Sequence, residues 1–191
     1  MILPTAMPAA LPACGSNELA EGPVWDERRS RLYWVDITAG ALRWLDSASD
    51  RCESLILGGT VGFVALTDEP DIVIVGHGRE LKFLTLSSQS LELIASLEPE
   101  GAPLRCNDGK CDPAGRLWAG TMQWGGDAGT GSLYSLDGDI APTRRLTGLR
   151  IAKLVRRIAV GDTFGLALIV AAEVEVAAGE EHEQGKEAAH G

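Results

Sequence analysis

Three stretches of the chain repeat one order of apolar and polar segments. They begin at Arg31, Asp71 and Arg116, and each opens with a short apolar run. Each then passes through a glycine-containing turn into a segment of alternating apolar and polar residues, followed by a polar turn and one more apolar segment. The turn glycines are Gly40, Gly78 and the glycines within 125–131. Because alternation with a period of two is typical of strands with one buried face, the pattern predicts a series of β-hairpins.

The spacing of these stretches predicts how the hairpins assemble. Leu32 and Ile72 are 40 residues apart, and Ile72 and Leu117 are 45 residues apart. A period of about 40 to 50 residues with about four short strands per unit is typical of a β-propeller blade, which stacks on its neighbours to bury both faces. We therefore predict an all-β fold, a partial β-propeller of about three blades. Since closed propellers have about four to eight blades, this array is expected to have open blade edges.

The two ends of the chain differ from the repeat. Residues 1–16 form an N-terminal apolar arm interrupted by prolines, residues 17–150 the partial propeller, and residues 151–191 a divergent tail. Between residues 149 and 158 the apolar positions are spaced more like those of a helix than those of a strand. The end of the chain is dense in charged residues. We therefore expect a tail that is helical or disordered in part.

The net charge of −10 limits the partners to be expected. Nucleic-acid binding is excluded, because phosphate contacts need a basic surface. The longest apolar run, which starts at Phe164, is too short to span a bilayer, so no membrane partner is expected. The arm lacks the positive charge that begins a secretory signal. A cytoplasmic location is the resulting prediction.

The cysteine pattern favours reduced thiols. The chain has four cysteines, Cys14, Cys52, Cys106 and Cys111, and none forms a Cys-x-x-Cys pair. A disulfide framework in a small secreted chain is usually denser than this. No histidine lies near Cys106 and Cys111, so a zinc site there is not expected.

Two short motifs carry candidate chemistry. The stretch RCNDGKCDPAGRLWAGTM supplies Arg105 and Asn107, whose guanidinium and amide groups could bind the oxygens of a polar ligand. The same Asn-Asp-Gly sequence also favours a tight turn at Gly109, and a propeller loop could serve both roles. The stretch AEGPVW supplies Glu21, a carboxylate suited to calcium, magnesium or zinc. From its spacing alone, Glu21 is better interpreted as a surface carboxylate, since one carboxylate does not make a metal site.

These motifs resemble a known family. The stretches ELAEGPVWDERRSRLYWVDITAGALRWLD, RCNDGKCDPAGRLWAGTM and GSLYSLDGD are similar to those of the senescence-marker protein, regucalcin and gluconolactonase family, over about residues 17–152. The resemblance implies a six-bladed propeller that binds a divalent metal and hydrolyses sugar lactones. It implies that Glu21 binds the metal, calcium or zinc with magnesium or manganese as alternatives. It also implies that Arg105 and Asn107 contact the substrate.

The chain departs from this family at several positions. Lys153 stands where the family has an asparagine that binds the metal, and Gly125 stands where regucalcin has a pocket glutamate. Cys106 and Cys111 replace the usual Phe and Val, which is a tolerable packing change. The family's later aspartate, a metal ligand and general base, belongs to a blade that we do not find. The abrupt change after Ala152 suggests a truncated form of the family fold.

Two functions follow from the resemblance and its departures. The first is an enzyme, a gluconolactonase-like hydrolase acting on the carboxylic ester of a sugar lactone, with a metal-bound water as the attacking group. Truncation is expected to impair this activity. The alternative is a non-catalytic half propeller that binds calcium or a partner, or self-associates through its open blade edges.

Overall fold

The computed structural model describes residues 14–125, 129–138, 140–156 and 168–172, which form β-strands, turns and loops. Three antiparallel four-stranded sheets, here called blades 1 to 3, follow one another along the chain. The strands of blade 1 are β1 (Ala20–Asp26), β2 (Arg31–Asp36), β3 (Ala41–Asp46) and β4 (Arg51–Ile56). Those of blade 2 are β5 (Val61–Leu66), β6 (Ile72–His77), β7 (Glu80–Thr85) and β8 (Ser90–Ser96). Those of blade 3 are β9 (Leu104–Cys111), β10 (Leu117–Gln123), β11 (Gly131–Leu136) and β12 (Pro142–Leu149).

Each blade is a meander in which every strand pairs with the next one in the sequence. The first strands of the blades lie side by side, since β1 contacts β5 and β5 contacts β9. The last strands, β4 and β8, carry many exposed residues, whereas β5 is almost wholly buried. The three four-stranded antiparallel sheets confirm the predicted all-β partial propeller.

Apolar side chains hold neighbouring blades together. One cluster joins blades 1 and 2 and includes Tyr33, Val35 and Val64. A second joins blades 2 and 3 and includes Phe63 and Leu117. The blades therefore bury their faces against each other, as the repeat predicts. The repeat residues Leu32, Ile72 and Leu117 all lie in the second strand of their blades.

The prediction of a turn at Asn107–Gly109 is wrong. These residues lie in the middle of β9, where Gly109 pairs with Ala119 of β10. Gly109 is needed for a close approach, because a Cβ atom there would lie 2.4 Å from the ring of Phe63. The predicted hairpin turn after β9 is confirmed at residues 112–115, where the Asp112 carboxylate accepts hydrogen bonds from the Ala114 and Arg116 amides.

The described part of the tail forms β-strands, not the helix that the apolar spacing predicts. β13 (Ala152–Arg156) pairs antiparallel with β14 (Leu168–Ala172). β13 also contacts β9 and β10, and Ala152 and Leu154 are buried against blade 3. These tertiary contacts override a local pattern that could serve a helix. The charged end of the tail and residues 1–13 of the arm lie outside the described residues.

One pair of cysteines corrects the prediction of reduced thiols. Cys14 and Cys52 form a disulfide, with Cα atoms 5.1 Å apart and a sequence separation of 38. The segment after Cys14 is held against blade 1, because the amides of Glu18 and Leu19 donate to the buried carboxylate of Asp36. This attachment brings Cys14 to β4, which spacing along the sequence could not reveal. Cys106 and Cys111 are free thiols, as predicted.

The described residues contain no helix that is long and apolar enough to cross a bilayer.

Candidate functional site

A cavity of about 210 Å³ lies where the first strands of blades 1 and 3 meet β13. We call it the central pocket. Its walls come from the β1 bulge, from β9 and from β13. It is lined by Glu21, Gly22, Pro23, Asn107, Asp108, Lys110, Lys153 and Leu154. The fold thus collects polar side chains from three distant parts of the chain.

A β-bulge presents Glu21 to the central pocket. Glu21 pairs with Val35 and Val24 pairs with Tyr33, so the pairing of β1 with β2 shifts between them. Gly22 occupies this bulge with a φ of 59°, a conformation that favours glycine. Arg43 lies 3.3 Å from the same Asp36 carboxylate that holds the chain before β1. The segment before β1, which leads to Glu21, is therefore attached to blade 1 through the buried Asp36 carboxylate.

Arg105 lies behind the central pocket and does not line it. Its side chain is buried, and its Nη1 donates to the Cys106 carbonyl oxygen at 2.9 Å and to Asn107 Oδ1 at 3.0 Å. The guanidinium carbon lies 4.9 Å from the ring centroid of Trp124. Burial lowers the pKa of the Arg105 guanidinium, and the nearby Cys106 and Glu21 oppose this shift. The arrangement makes Arg105 a support for the Asn107 amide.

Asn107 and Asp108 attach β13 to blade 3. Asn107 Nδ2 donates to the Ala152 carbonyl oxygen at 2.9 Å, and the Leu154 amide donates to Asp108 Oδ2 at 2.7 Å. Both polar side chains are almost fully buried. The two hydrogen bonds are made by the residues on either side of Lys153, so they set the position of its backbone.

Lys153 forms an ion pair with Glu21 across the central pocket. Lys153 Nζ lies 2.9 Å from Glu21 Oε1, although the two residues are 132 positions apart. Their side chains are 44% and 40% exposed, respectively, so water reaches both. A second, longer pair joins Lys110 Nζ and Asp108 Oδ1 at 3.9 Å. The charged groups of the lining are thus two carboxylates and two ammonium groups.

The described residues do not fit the predicted divalent metal site. Glu21 is paired with an ammonium group, and the Asp108 carboxylate accepts hydrogen bonds from the Gly109 and Leu154 amides. Within the described ranges, no three His, Cys, Asp or Glu residues are grouped so that they could hold a metal ion. Calcium takes about six to eight oxygen ligands. One water-exposed carboxylate with a lysine already bound to it is far short of that number.

The structure brings some predicted site residues together and adds others. Glu21 and Asn107, the predicted metal and substrate residues, line one cavity. Arg105 is adjacent to Asn107 but outside the lining. From the sequence, Lys153 was only a departure from the family pattern, and Lys110 was not predicted to lie in the site. Their signal was weak, because a single lysine is usually a solvated surface residue.

The buried free thiol of β9, Cys106, takes no part in this chemistry. Cys106 is fully buried, and burial raises its pKa to about 12. The thiol is therefore protonated at neutral pH and is a poor nucleophile. Its sulfur lies 3.7 Å from the Glu80 carbonyl oxygen, which indicates a packing role between blades 2 and 3.

Three stacked four-stranded sheets around a polar pocket define a protein of the β-propeller class. The model of the SMP-30/gluconolactonase/LRE-like region matches residues 19–152, so the chain belongs to this family. The resemblance seen in the sequence motifs is thereby confirmed.

Curated relatives and solved structures agree with this assignment. The chain is 36% identical to a putative sugar lactone lactonase, YvrE, of Bacillus subtilis (strain 168), an alignment that covers 70% of this chain and 45% of that protein. It is 34% identical to the L-arabinolactonase of Azospirillum brasilense, over 71% of this chain and 46% of that protein. The structure of a luciferin-regenerating enzyme matches with a TM-score of 0.69 and 32% identity, over 73% of this chain and 49% of that one. The chain thus spans under half the length of each of these three relatives.

Proposed function

We propose that this chain takes part in the hydrolysis of a sugar lactone that binds in the central pocket. The observation that carries the proposal is the convergence of Glu21, Asn107 and Lys153 on one water-accessible cavity in a family whose relatives include lactonases. A lactone presents a carbonyl oxygen and several hydroxyl groups. Such a ligand suits a neutral pocket that has ammonium and amide donors beside a carboxylate.

The reaction requires a donor for the carbonyl oxygen and an acceptor for the proton of water. Water adds to the carbonyl carbon, the ring C–O bond breaks, and a hydroxy acid is released. The Lys153 ammonium has three N–H donors, of which Glu21 uses one, so it is suited to stabilise the negative charge that forms on the carbonyl oxygen. Glu21 is suited to accept the proton of the attacking water.

We assign the predicted substrate residues different roles. Asn107 lines the central pocket and is proposed to bind a lactone oxygen or hydroxyl. Arg105 is proposed as a positioning residue, because its Nη1 holds Asn107 Oδ1 and its guanidinium is buried. Dependence on calcium, zinc, magnesium or manganese is implied by the family resemblance alone, and the described lining does not supply the ligands for it. Reduced activity relative to longer relatives stays a prediction. Self-association through blade edges and the cytoplasmic location also stay predictions.

The test is a lactonase assay on the purified full chain. Hydrolysis of gluconolactone and L-arabinolactone is followed by acid release, in chelator and with each divalent cation. We expect turnover above the buffer rate, and Glu21→Gln is expected to lower kcat/KM by at least about tenfold because it removes the proton acceptor. The matched control is Glu53→Gln, the same substitution on an exposed strand outside the pocket.

Two results would contradict the proposal. One is a folded wild-type chain, by circular dichroism, that hydrolyses neither lactone above background in any of these buffers. The other is equal kcat/KM for Glu21→Gln and Glu53→Gln, since hydrolysis would then take place elsewhere.

A further inference from the structure

We infer that the Lys153 ammonium replaces a divalent cation as the partner of Glu21, so that the central pocket of this chain excludes divalent metal ions. The inference rests on the proposed function only for the location of the site. It concerns metal binding by the chain without substrate.

The first support is that Lys153 is held in place by buried contacts. Its neighbours Ala152 and Leu154 are hydrogen-bonded to the side chains of Asn107 and Asp108, at 2.9 and 2.7 Å. Ala152 and Leu154 are themselves buried in the cluster that joins β13 to blade 3. The backbone at Lys153 therefore cannot shift far, and its side chain meets Glu21 from a fixed starting point.

The second support is the charge of the central pocket. The carboxylates of Glu21 and Asp108 are balanced by the ammonium groups of Lys110 and Lys153, so the lining has no net negative charge. The buried Arg105 guanidinium adds a positive charge that interacts with Glu21. A divalent cation entering this cavity would meet like charges and would have to displace an ammonium group already 2.9 Å from Glu21.

The third support is the supply of oxygen ligands. Asn107 Oδ1 accepts a hydrogen bond from Arg105, and both oxygens of Asp108 accept backbone amides. Among these side chains, the carboxylate of Glu21 is the most exposed to a cation, and Lys153 Nζ already lies 2.9 Å from its Oε1. The ammonium thus supplies, as a hydrogen-bond donor, the positive charge that a metal ion would otherwise bring to this carboxylate.

The consequence is a definite ligand class. With one N–H used by Glu21, Lys153 has further N–H groups for an oxygen-rich ligand that carries no metal, such as a lactone or the hydroxy acid formed from it.

The experiment is calorimetric titration of the chelator-treated full chain with calcium and with zinc. Four chains are compared: the wild type, Glu21→Gln, Lys153→Asn and Lys110→Asn. Lys153→Asn removes the ammonium and adds an amide oxygen, whereas Lys110→Asn removes the same charge from the same cavity without freeing Glu21. We expect Glu21→Gln to have the same metal affinity as the wild type, because the Glu21 carboxylate of the wild type does not bind the metal. Lys153→Asn is expected to bind calcium at least about tenfold tighter than the wild type, and Lys110→Asn less than about threefold tighter.

Several results would overturn the inference. Wild-type binding that Glu21→Gln weakens by about tenfold or more would show that the carboxylate accepts a metal despite Lys153. Equal affinities for Lys153→Asn and the wild type would show that Lys153 does not exclude the metal, and an equal gain in Lys110→Asn would show a general charge effect. Circular dichroism checks the fold of each variant, and Lys153→Gln repeats the test if Lys153→Asn is unfolded. Because no lactone is present, failure here is distinguishable from failure of the lactonase assay.

Discussion

The strands β1 and β9 hold equivalent places, each the first strand of its blade, but they are stabilised differently. β9 is buried along most of its length, and the side chains of Asn107 and Asp108 are hydrogen-bonded to the backbone of β13. β1 is half-exposed, contains a bulge, and is fastened by contacts at its ends. The central pocket therefore has one buried wall, β9, and one wall, β1, whose position depends on attachments outside the strand.

The largest expected effect comes from removing an attachment of the β1 wall. The double variant Cys14→Ser/Cys52→Ser opens a loop with a sequence separation of 38 residues, and we expect it to lower the free energy of unfolding by about 3 kcal/mol, mainly because the unfolded chain gains conformational freedom. Urea denaturation measures the loss, and hydrogen exchange should show faster opening in β1 than in β9. The control is a reducing agent, which should destabilise the wild type but not the double variant. Equal stability of the two oxidised chains would contradict the prediction.

A smaller loss is expected from the β9 wall. Asp108→Ala removes the acceptor of the buried Leu154 amide, and we expect it to lower the free energy of unfolding by about 2 kcal/mol because that amide is left without its partner. The hydrogen-exchange rate of the Leu154 amide, followed by NMR, should be higher in Asp108→Ala than in the wild type. Glu21→Ala is the matched comparison on β1, and it should change stability by less than about 0.5 kcal/mol, since its ion pair with Lys153 is exposed. Similar losses in the two variants would remove the distinction between the walls.

The smallest effect is expected just after β9, where Asp112 makes the stability of the fold depend on pH. Burial tends to raise the pKa of the Asp112 carboxyl, but hydrogen bonds from Trp118 and Arg116 outweigh it, so the pKa lies below its ordinary value of 3.8. The stabilisation is therefore present above about pH 4 and is lost as the pH falls through the folded-state pKa. Asp112→Asn should cost about 1 kcal/mol at pH 7, and this difference should shrink on acidification.

Thermal unfolding at a series of pH values measures this difference. Asp50→Asn, an exposed turn position, serves as the control. A difference between Asp112→Asn and the wild type that stays constant down to strongly acidic pH would contradict the assignment.

The hydrophobic pattern predicted the repeated part of the fold well. The second and third strands of the blades alternate clearly and turn at Gly40 and Gly78, which both adopt positive φ. The strands β1 and β9 were missed because their local sequences contradict the pattern. β1 contains Pro23, and β9 contains an Asn-Asp-Gly sequence that normally turns. Pairing with β10 and packing against Phe63 hold that sequence extended.

The site was predictable only in part. The motifs indicated Glu21 and Asn107, because the family resemblance rests on the residues around them. The ion pair of Glu21 with Lys153 and the disulfide of Cys14 with Cys52 could not be read from spacing, since both join distant segments. Substrate contact by Arg105 stays a prediction; its side chain bonds to Asn107, which lines the central pocket.

The strand period and the stacking of blades follow from the sequence, because local alternation and a regular repeat spacing encode them. The family follows from the sequence motifs. Only the tertiary structure decided which charges meet in the central pocket. Asn107 and Asp108 of β9 hold the backbone of β13, and this attachment carries Lys153 to Glu21. A contact across 132 residues is set by the packing of strands in space, and no local pattern records it.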